Sequence, residues 1–200
     1  MSDSLNLNVI KTIVLDIDDT LNSLTLTIMG SIFGCPVGPY DYNRFPVEVG
    51  YDIIAAVNQM LGLEGDDQWQ LEDFWNKIPR HLWATAPLAS ECQFLLERSA
   101  QLVGHENVFL ASTPTKCPEA HAGKVEWITT YLPKWIHRQY FITPRKWMLA
   151  NEESLLIDDH DVNIEKFKVK GQGLIVPRPW NHAHGERTME FLVNHLGEVE

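Results

Sequence analysis

The chain is poor in cysteine and in basic residues, and it contains no long apolar run. Its three cysteines, Cys35, Cys92 and Cys117, are odd in number, far apart and without a CxxC pair. That spacing argues against a disulfide framework and a zinc knuckle, and points to a reducing compartment. Sixteen Lys and Arg stand against 27 Asp and Glu, a formal charge of −11. No broad positive surface can be built from that balance, so neither a polynucleotide nor an anionic membrane is an expected partner. No window reaches the length of a membrane span, and the opening MSDSLNLNVIK lacks a basic segment followed by an apolar one. A soluble cytoplasmic protein is the expectation. Internal repeats, low-complexity tracts and Gly/Ser-rich linkers are missing as well. Two hundred residues, 44% of them hydrophobic, suit one domain carrying a modest insertion.

What is present is alternation. Short apolar runs at 9–15, 107–111, 139–142, 155–157 and 173–176 read as buried strands. Helical patterns lie between them. Residues 89–103 put Cys92, Leu95, Leu96, Ser99 and Val103 on one face before Gly104, and 118–132 opens at Pro118 and stops at Pro133. Two more patterns cover 161–168, with Asp161 as its candidate N-cap, and 185–196. Strands alternating with helices predict an α/β fold, a doubly wound and mostly parallel sheet covered on both faces. Residues 22–88 break the rhythm: they run far beyond the dozen or so that a crossover needs. Within them 31–46 is rich in Gly, Pro and Tyr and reads as loop. Helices are expected at 50–62 and 68–78, the second with Leu71, Phe74, Trp75 and Ile78 at helical spacing. The expectation is a small helical cap at 22–88, inserted into a core made of 1–21 and 89–200.

The chemistry-bearing residues fall at strand ends. The run Ile13-Val14-Leu15 leads straight into Asp16-Ile17-Asp18-Asp19-Thr20. Like charges packed at a strand end repel and are costly to desolvate, so they call for a cation. A second acidic pair, Asp158-Asp159, ends the run Leu155-Leu156-Ile157. Two such ends supply oxygen ligands, the chemistry of Mg²⁺ rather than zinc. Asp16, Asp18, Asp158 and Asp159 are therefore the candidate metal set. The run at 107–111 continues into Ser112-Thr113, whose hydroxyls and free N–H groups suit a phosphate oxygen. Lys124 shares a helical stripe with Trp127, Ile128 and Tyr131, which puts a charge on an otherwise buried face. Lys146 follows the third strand, and Arg178 follows the fifth, where it would approach the same edge. Each has a plainer reading taken singly: an acidic turn, a helix cap, an ordinary strand exit or a surface lysine. His182 and His184 lack a third ligand and read as a polar loop.

Taken in order, an Asp-x-Asp-x-Thr strand end, a Ser/Thr strand end, a Lys and an Asp-Asp strand end resemble the haloacid-dehalogenase superfamily of phosphotransferases. The insertion sits where that superfamily carries its first-type cap. A narrower resemblance is to the 5′(3′)-deoxyribonucleotidases. It rests on Ser112-Thr113-Pro114, Lys124 with Trp127, Ile142-Thr143 with Lys146, and 155–159, with Phe74-Trp75 and Ala86-Pro87-Leu88 in the insertion. This chain has Asp19 where that family usually has Gly, and Leu24 where it carries a base-stacking aromatic.

The resemblance implies a Mg²⁺-dependent hydrolase of a small-molecule phosphomonoester, a nucleoside and specifically a deoxyribonucleoside monophosphate. Asp16 would be the nucleophile, forming an aspartyl-phosphate, and Asp18 the general acid and base. Asp16, the Asp18 carbonyl and one or both of Asp158 and Asp159 would hold the ion, with Asp159 favoured. Ser112, Thr113, Lys124 and Lys146 would bind the phosphate. In the cap Trp69, Trp75 and Trp83 are the substrate candidates, although the apolar stripe makes Trp75 a core residue. Phe33, Tyr40, Tyr42 and Phe45 are further stacking candidates. Two other readings stand beside this one, a phosphatase for sugar phosphates and a receiver-like phospho-acceptor module. The receiver orders its motifs differently. A homodimer is left open as the assembly.

Overall fold

Five short strands pair into one fully parallel sheet in the computed structural model, which describes residues 5–115 and 117–199. Residues 1–4, at the head of the N-terminal segment considered above, lie outside the described range. The strands are β1 (Thr12–Leu15), β2 (Val108–Ser112), β3 (Tyr140–Ile142), β4 (Ser154–Asp158) and β5 (Gln172–Ile175), in the order β3-β2-β1-β4-β5. β1 starts later than its apolar run because Leu7–Val9 close a 3₁₀ turn and leave Val9 exposed. The alternation of a strand sends Ile13 and Leu15 to one face and Val14 to the other, and both faces are covered. Helices α5 (Cys92–Val103) and α8 (Thr188–Leu196) add Leu95, Leu96, Leu192 and Leu196 to the core on the first face. Helix α7 (Asp161–Phe167) packs Ile164 and Phe167 against Val14 and Leu156 on the second. The fold class is the one expected.

The insertion leaves and re-enters the core at a single point. Asn22 forms an antiparallel bridge with Leu88, Ser23 donates to the Pro87 carbonyl (2.9 Å) and Ala89 donates to the Leu21 carbonyl (2.9 Å). Between these ties lie α1 (Leu24–Ser31), α2 (Ile53–Leu61), α3 (Leu71–Asn76) and α4 (Arg80–Thr85). α2 follows the reading at 50–62, with Asp52 as its N-cap accepting from the amides of Ile54 and Ala55. α1 and α4 were not expected. α1 buries Leu24, Leu26, Ile28 and Met29, so it has no polar face to produce a 3.6-residue period. The pattern at 68–78 shrinks to six residues, which leaves Leu71 exposed and Phe74 in the core. Asp161 is not an N-cap: that position belongs to His160, whose ring accepts from the Val162 amide, and Asp161 sits in the first turn. Among the described residues no helix is long and apolar enough to cross a membrane.

α4 rests on α6 (Pro118–Tyr131) through a very close approach at Gly123. A methyl group there would lie 2.5 Å from Trp83 Cβ and 2.8 Å from the Arg80 carbonyl oxygen. Overpacking of this kind typically costs about 1–3 kcal/mol. Gly123→Ala should therefore lower the thermal midpoint by roughly 2–12 °C; a midpoint within 1 °C of wild type would show that the contact is slack.

Candidate active site

Because every strand is parallel, all five C-terminal ends meet at one edge. Chain direction reverses across β1 and β4: from β1 the chain winds outward to β2 and β3, then crosses back to β4 and β5. Open α/β sheets bind ligands in the crevice outside such a switch point. Asp16 and Asp158–Asp159 flank that crevice, since Leu15 is paired with Ile157.

Asp16, Asp158 and Asp159 each offer a carboxylate oxygen, and these atoms lie within 4.8 Å of one another. All three residues are buried. Lys146, itself buried, reaches in from the turn after β3 to Asp16 and to Asp158 Oδ2 (2.7 Å). Asp158 is held further by the His160 amide (2.8 Å) and by Asn163 Nδ2 (3.1 and 3.2 Å). Asp159 is less satisfied. Its Oδ2 accepts from Trp180 Nε1 (2.7 Å), whereas its buried Oδ1 has no hydrogen-bond partner. One ammonium thus offsets one of three carboxylates, and a divalent cation would match the remaining charge. An orphaned buried oxygen beside two other carboxylates is where such a cation fits.

Asp18, two residues on, faces a different set. Its Oδ2 meets Lys124 Nζ (2.5 Å) and accepts from Ser112 Oγ (3.2 Å), and 18% of its side chain stays exposed. Lys124 is buried and also donates to Ser112 Oγ (2.8 Å) and the Thr113 carbonyl (2.7 Å). Thr113 is exposed and contributes that carbonyl. So β1, β2, α6, β4 and the turn after β3 bring Asp16, Asp18, Ser112, Lys124, Lys146, Asp158 and Asp159 to one edge.

The turn after β1 has an unusual backbone. Asp19 has φ +59°, the one positive value at a non-glycine position among the described residues. That conformation usually costs roughly 1–3 kcal/mol, and Asp tolerates it better than most. Asp19 is buried; its carboxylate accepts from the Thr25 amide (3.0 Å) and from Thr25 Oγ1 (2.6 Å).

Other candidates lie elsewhere. Arg178 does not join Lys124 and Lys146: its guanidinium is turned to Glu91 and to the carbonyls of Asp19 (2.7 Å) and Pro177 (2.9 Å). Trp83 lies on α4 and is 2% exposed, with its ring 5.4 Å from Lys124 Nζ, so it is packed and not open to a substrate. Trp69 is clamped by Asn58 through its amide and carbonyl, and its ring edges onto Phe33. Phe33 and Phe45 are buried too. Trp75 is only partly buried and lines a cleft of about 210 Å³ together with Thr25, Phe45, Tyr51, Leu71 and Trp180. The cleft adjoins the carboxylates through Trp180, which donates to Asp159, and Thr25, which donates to Asp19. Tyr51 and Trp180 were missed as site residues. Trp180 had a signal in its place after β5, whereas nothing local marks Tyr51.

No protein-family model matches the chain, and no curated protein matches it in sequence. Solved structures do. A haloacid dehalogenase-like hydrolase from Bacteroides fragilis is 15% identical with a TM-score of 0.53, over 92% of this chain and 93% of its own. A HAD-superfamily hydrolase of subfamily IA from Geobacter sulfurreducens is 14% identical, TM-score 0.51, over 94% and 97%. A dehalogenase described with an intermediate complex is 8% identical, TM-score 0.51, also over 94% and 97%. The chain therefore has the haloacid dehalogenase-like fold.

Burial pushes the Asp16 carboxyl up from 3.8 to about 7, with Asp158 and Asp18 adding to the rise and Lys146 opposing it. Asp159 is likewise held well above the ordinary range by burial and by the neighbouring Asp158 and Asp16. Burial opposes the charge on Lys146, but Asp158 and Asp16 outweigh it and raise its pKa. Asp19 is pushed up to about 6 by burial, against the pull of Thr25. A carboxyl that binds its proton more tightly folded than unfolded contributes most stability below about pH 4, and loses it as pH rises through 6 to 7. Mg²⁺ should reverse that loss. At pH 7 and a hundredfold excess over its dissociation constant, it should raise the thermal midpoint by roughly 5–10 °C. The gain should be much smaller at pH 5, where the cluster keeps its proton. A midpoint indifferent to Mg²⁺ at pH 7 would sink the metal assignment.

Proposed function

We propose that the chain is a Mg²⁺-dependent phosphomonoester hydrolase working through an aspartyl-phosphate, with nucleoside monophosphates as its substrate class. One observation carries the reading: two carboxylates two residues apart stand in separate environments. Asp16 lies in the carboxylate cluster with Lys146, and Asp18 is clasped by Lys124 and Ser112. That division suits a nucleophile and a proton carrier. Asp16 would attack phosphorus, forming an Asp16–phosphorus bond as the ester bond breaks. Asp18 gives a proton to the departing alkoxide, then takes one from the water that cleaves the acyl phosphate and restores Asp16. Mg²⁺, held by Asp16, the Asp18 carbonyl and Asp159 Oδ1, would let an anionic nucleophile approach an anionic ester. Lys146, Lys124 and Ser112 would steady the phosphoryl oxygens as charge spreads over them. The dehalogenase fold relative leaves a haloacid substrate as the rival, but carbon–halogen displacement gives no role to an unpaired third carboxylate oxygen.

The nucleotide part rests on the aromatic cleft beside the carboxylates. Tyr51 is 53% exposed at its rim, and its ring meets Trp180 edge-on with centroids 6.1 Å apart. A base entering there would stack for about 1–3 kcal/mol.

Asp16→Asn should lower turnover of p-nitrophenyl phosphate by at least about a thousandfold while leaving the fold intact. A variant with near-normal activity would refute the scheme. Tyr51→Ala should raise KM for nucleoside monophosphates by roughly tenfold and leave p-nitrophenyl phosphate within twofold. A panel of ribo- and deoxyribonucleotides, sugar phosphates and 2-chloropropionate separates the readings. Preference for sugar phosphates would remove the nucleotide part, and turnover of the haloacid alone would remove the phosphatase. Stoichiometric labelling by acetyl phosphate without turnover would favour the receiver-like alternative.

A further inference from the structure

Arg178 is 3% exposed and its charge is met by the equally buried Glu91, so it has none to spare for a substrate. Its Nε instead donates to the carbonyl of Asp19, the residue held at φ +59° in the turn that carries Asp16 and Asp18. The remaining contacts of the guanidinium tie that turn to four other segments. Glu91 stands at the N-cap of α5, just past the point where the insertion returns to the core. The Pro177 carbonyl and Thr188 Oγ1 (3.5 Å) belong to the exit from β5 and the start of α8. Tyr42, from the insertion, lays its ring 4.8 Å from the guanidinium carbon and donates to Ser23 Oγ (3.2 Å).

We infer that Arg178 is a positioning residue, acting through Asp19 to hold the Asp16–Asp18 turn in its reactive shape. The inference rests on Asp16 and Asp18 being the reacting pair. An L-residue at φ +59° relaxes toward negative φ unless its neighbours hold it, and such a relaxation rotates the peptide between Asp18 and Asp19. Thr25 holds the Asp19 side chain, and Arg178 holds the carbonyl on its far side. Arg is suited to this task because one planar fork can bond the Asp19 carbonyl, Glu91 and Pro177 at once. Lys can keep only part of that set.

The test is a double-mutant cycle on the full chain, comparing wild type, Arg178→Lys, Arg178→Gln, Asp19→Gly and the Asp19→Gly/Arg178→Gln double. Kinetics use p-nitrophenyl phosphate with Mg²⁺, and amide hydrogen exchange is followed without substrate. Arg178→Gln should lower kcat by about a hundredfold with KM changed less than threefold, and Arg178→Lys should fall between it and wild type. Exchange should accelerate at 18–22 while the amides of β1 and β4 stay protected. Glycine adopts φ +59° unaided, so adding Asp19→Gly to Arg178→Gln should recover at least tenfold in kcat. A full kcat in Arg178→Gln, exchange that rises uniformly over the sheet, or no recovery in the double variant would each overturn the inference. If Arg178→Gln does not fold, Arg178→Lys and Glu91→Gln carry the same exchange comparison, local change supporting the role and uniform change refuting it. A wild type without phosphatase activity would defeat the catalytic reading alone, because the exchange pattern tests the turn independently.

Discussion

Lys146 leaves the turn after β3 and places its ammonium between the carboxylates that end β1 and β4. The rest of the site depends on that bridge. Without it, buried carboxylates from neighbouring strand ends would face one another with nothing to offset them, and desolvated like charges are among the costliest groups to bury. Even with it one oxygen, Asp159 Oδ1, lacks a partner, and the Asp16 pKa is pushed up to about 7. A cation bound beside these carboxylates would relieve both. This also refines the meaning of a −11 chain: of its sixteen Lys and Arg, Lys124 and Lys146 are buried beside the carboxylates at the sheet edge, so the local balance there differs from that of the whole chain.

The second organising feature is the way the insertion is fastened. Its two ends are joined by the Asn22–Leu88 bridge, and α4 lies on α6 at Gly123, the same helix that presents Lys124 to Asp18. Packing of the insertion and presentation of a site lysine thus share one helix. On the opposite side, Tyr51 from the insertion and Trp180 from the β5 exit form walls of the aromatic cleft, and Trp180 also holds Asp159. A cleft built this way takes its walls from two distant stretches of chain, and Trp180 links it to Asp159 at the sheet edge.

Local signals marked the parts whose causes are local. Apolar runs ending in Asp16-Ile17-Asp18 and Asp158-Asp159 are strands because short buried strands are continuously apolar, and the carboxylates mark where burial stops. The Cys92, Leu95, Leu96 and Ser99 face appeared as written, since α5 has a solvent side to set the period. α1 was invisible for the opposite reason: its buried residues Leu24, Leu26, Ile28 and Met29 fall on more than one face, so no helical period stands out. Trp83 shows how misleading a lone aromatic can be: it read as a substrate candidate, whereas it is buried on α4 with its Cβ against Gly123 of α6.

From the residues alone came the α/β alternation, the long insertion after β1 and the two acidic strand ends, because each depends on neighbours within a few positions. Tertiary structure decided what those groups face. Lys146 and Asp16 are 130 positions apart and Arg178 and Asp19 are 159 apart, so no spacing rule could pair them. It decided that Arg178 serves a backbone carbonyl and Glu91 instead of facing the carboxylate edge, and that Tyr51 and Trp180 share a cleft with Trp75. Parallel pairing is the physical reason. It brings every strand's C-terminal end to one edge and makes neighbours of residues that the chain keeps far apart.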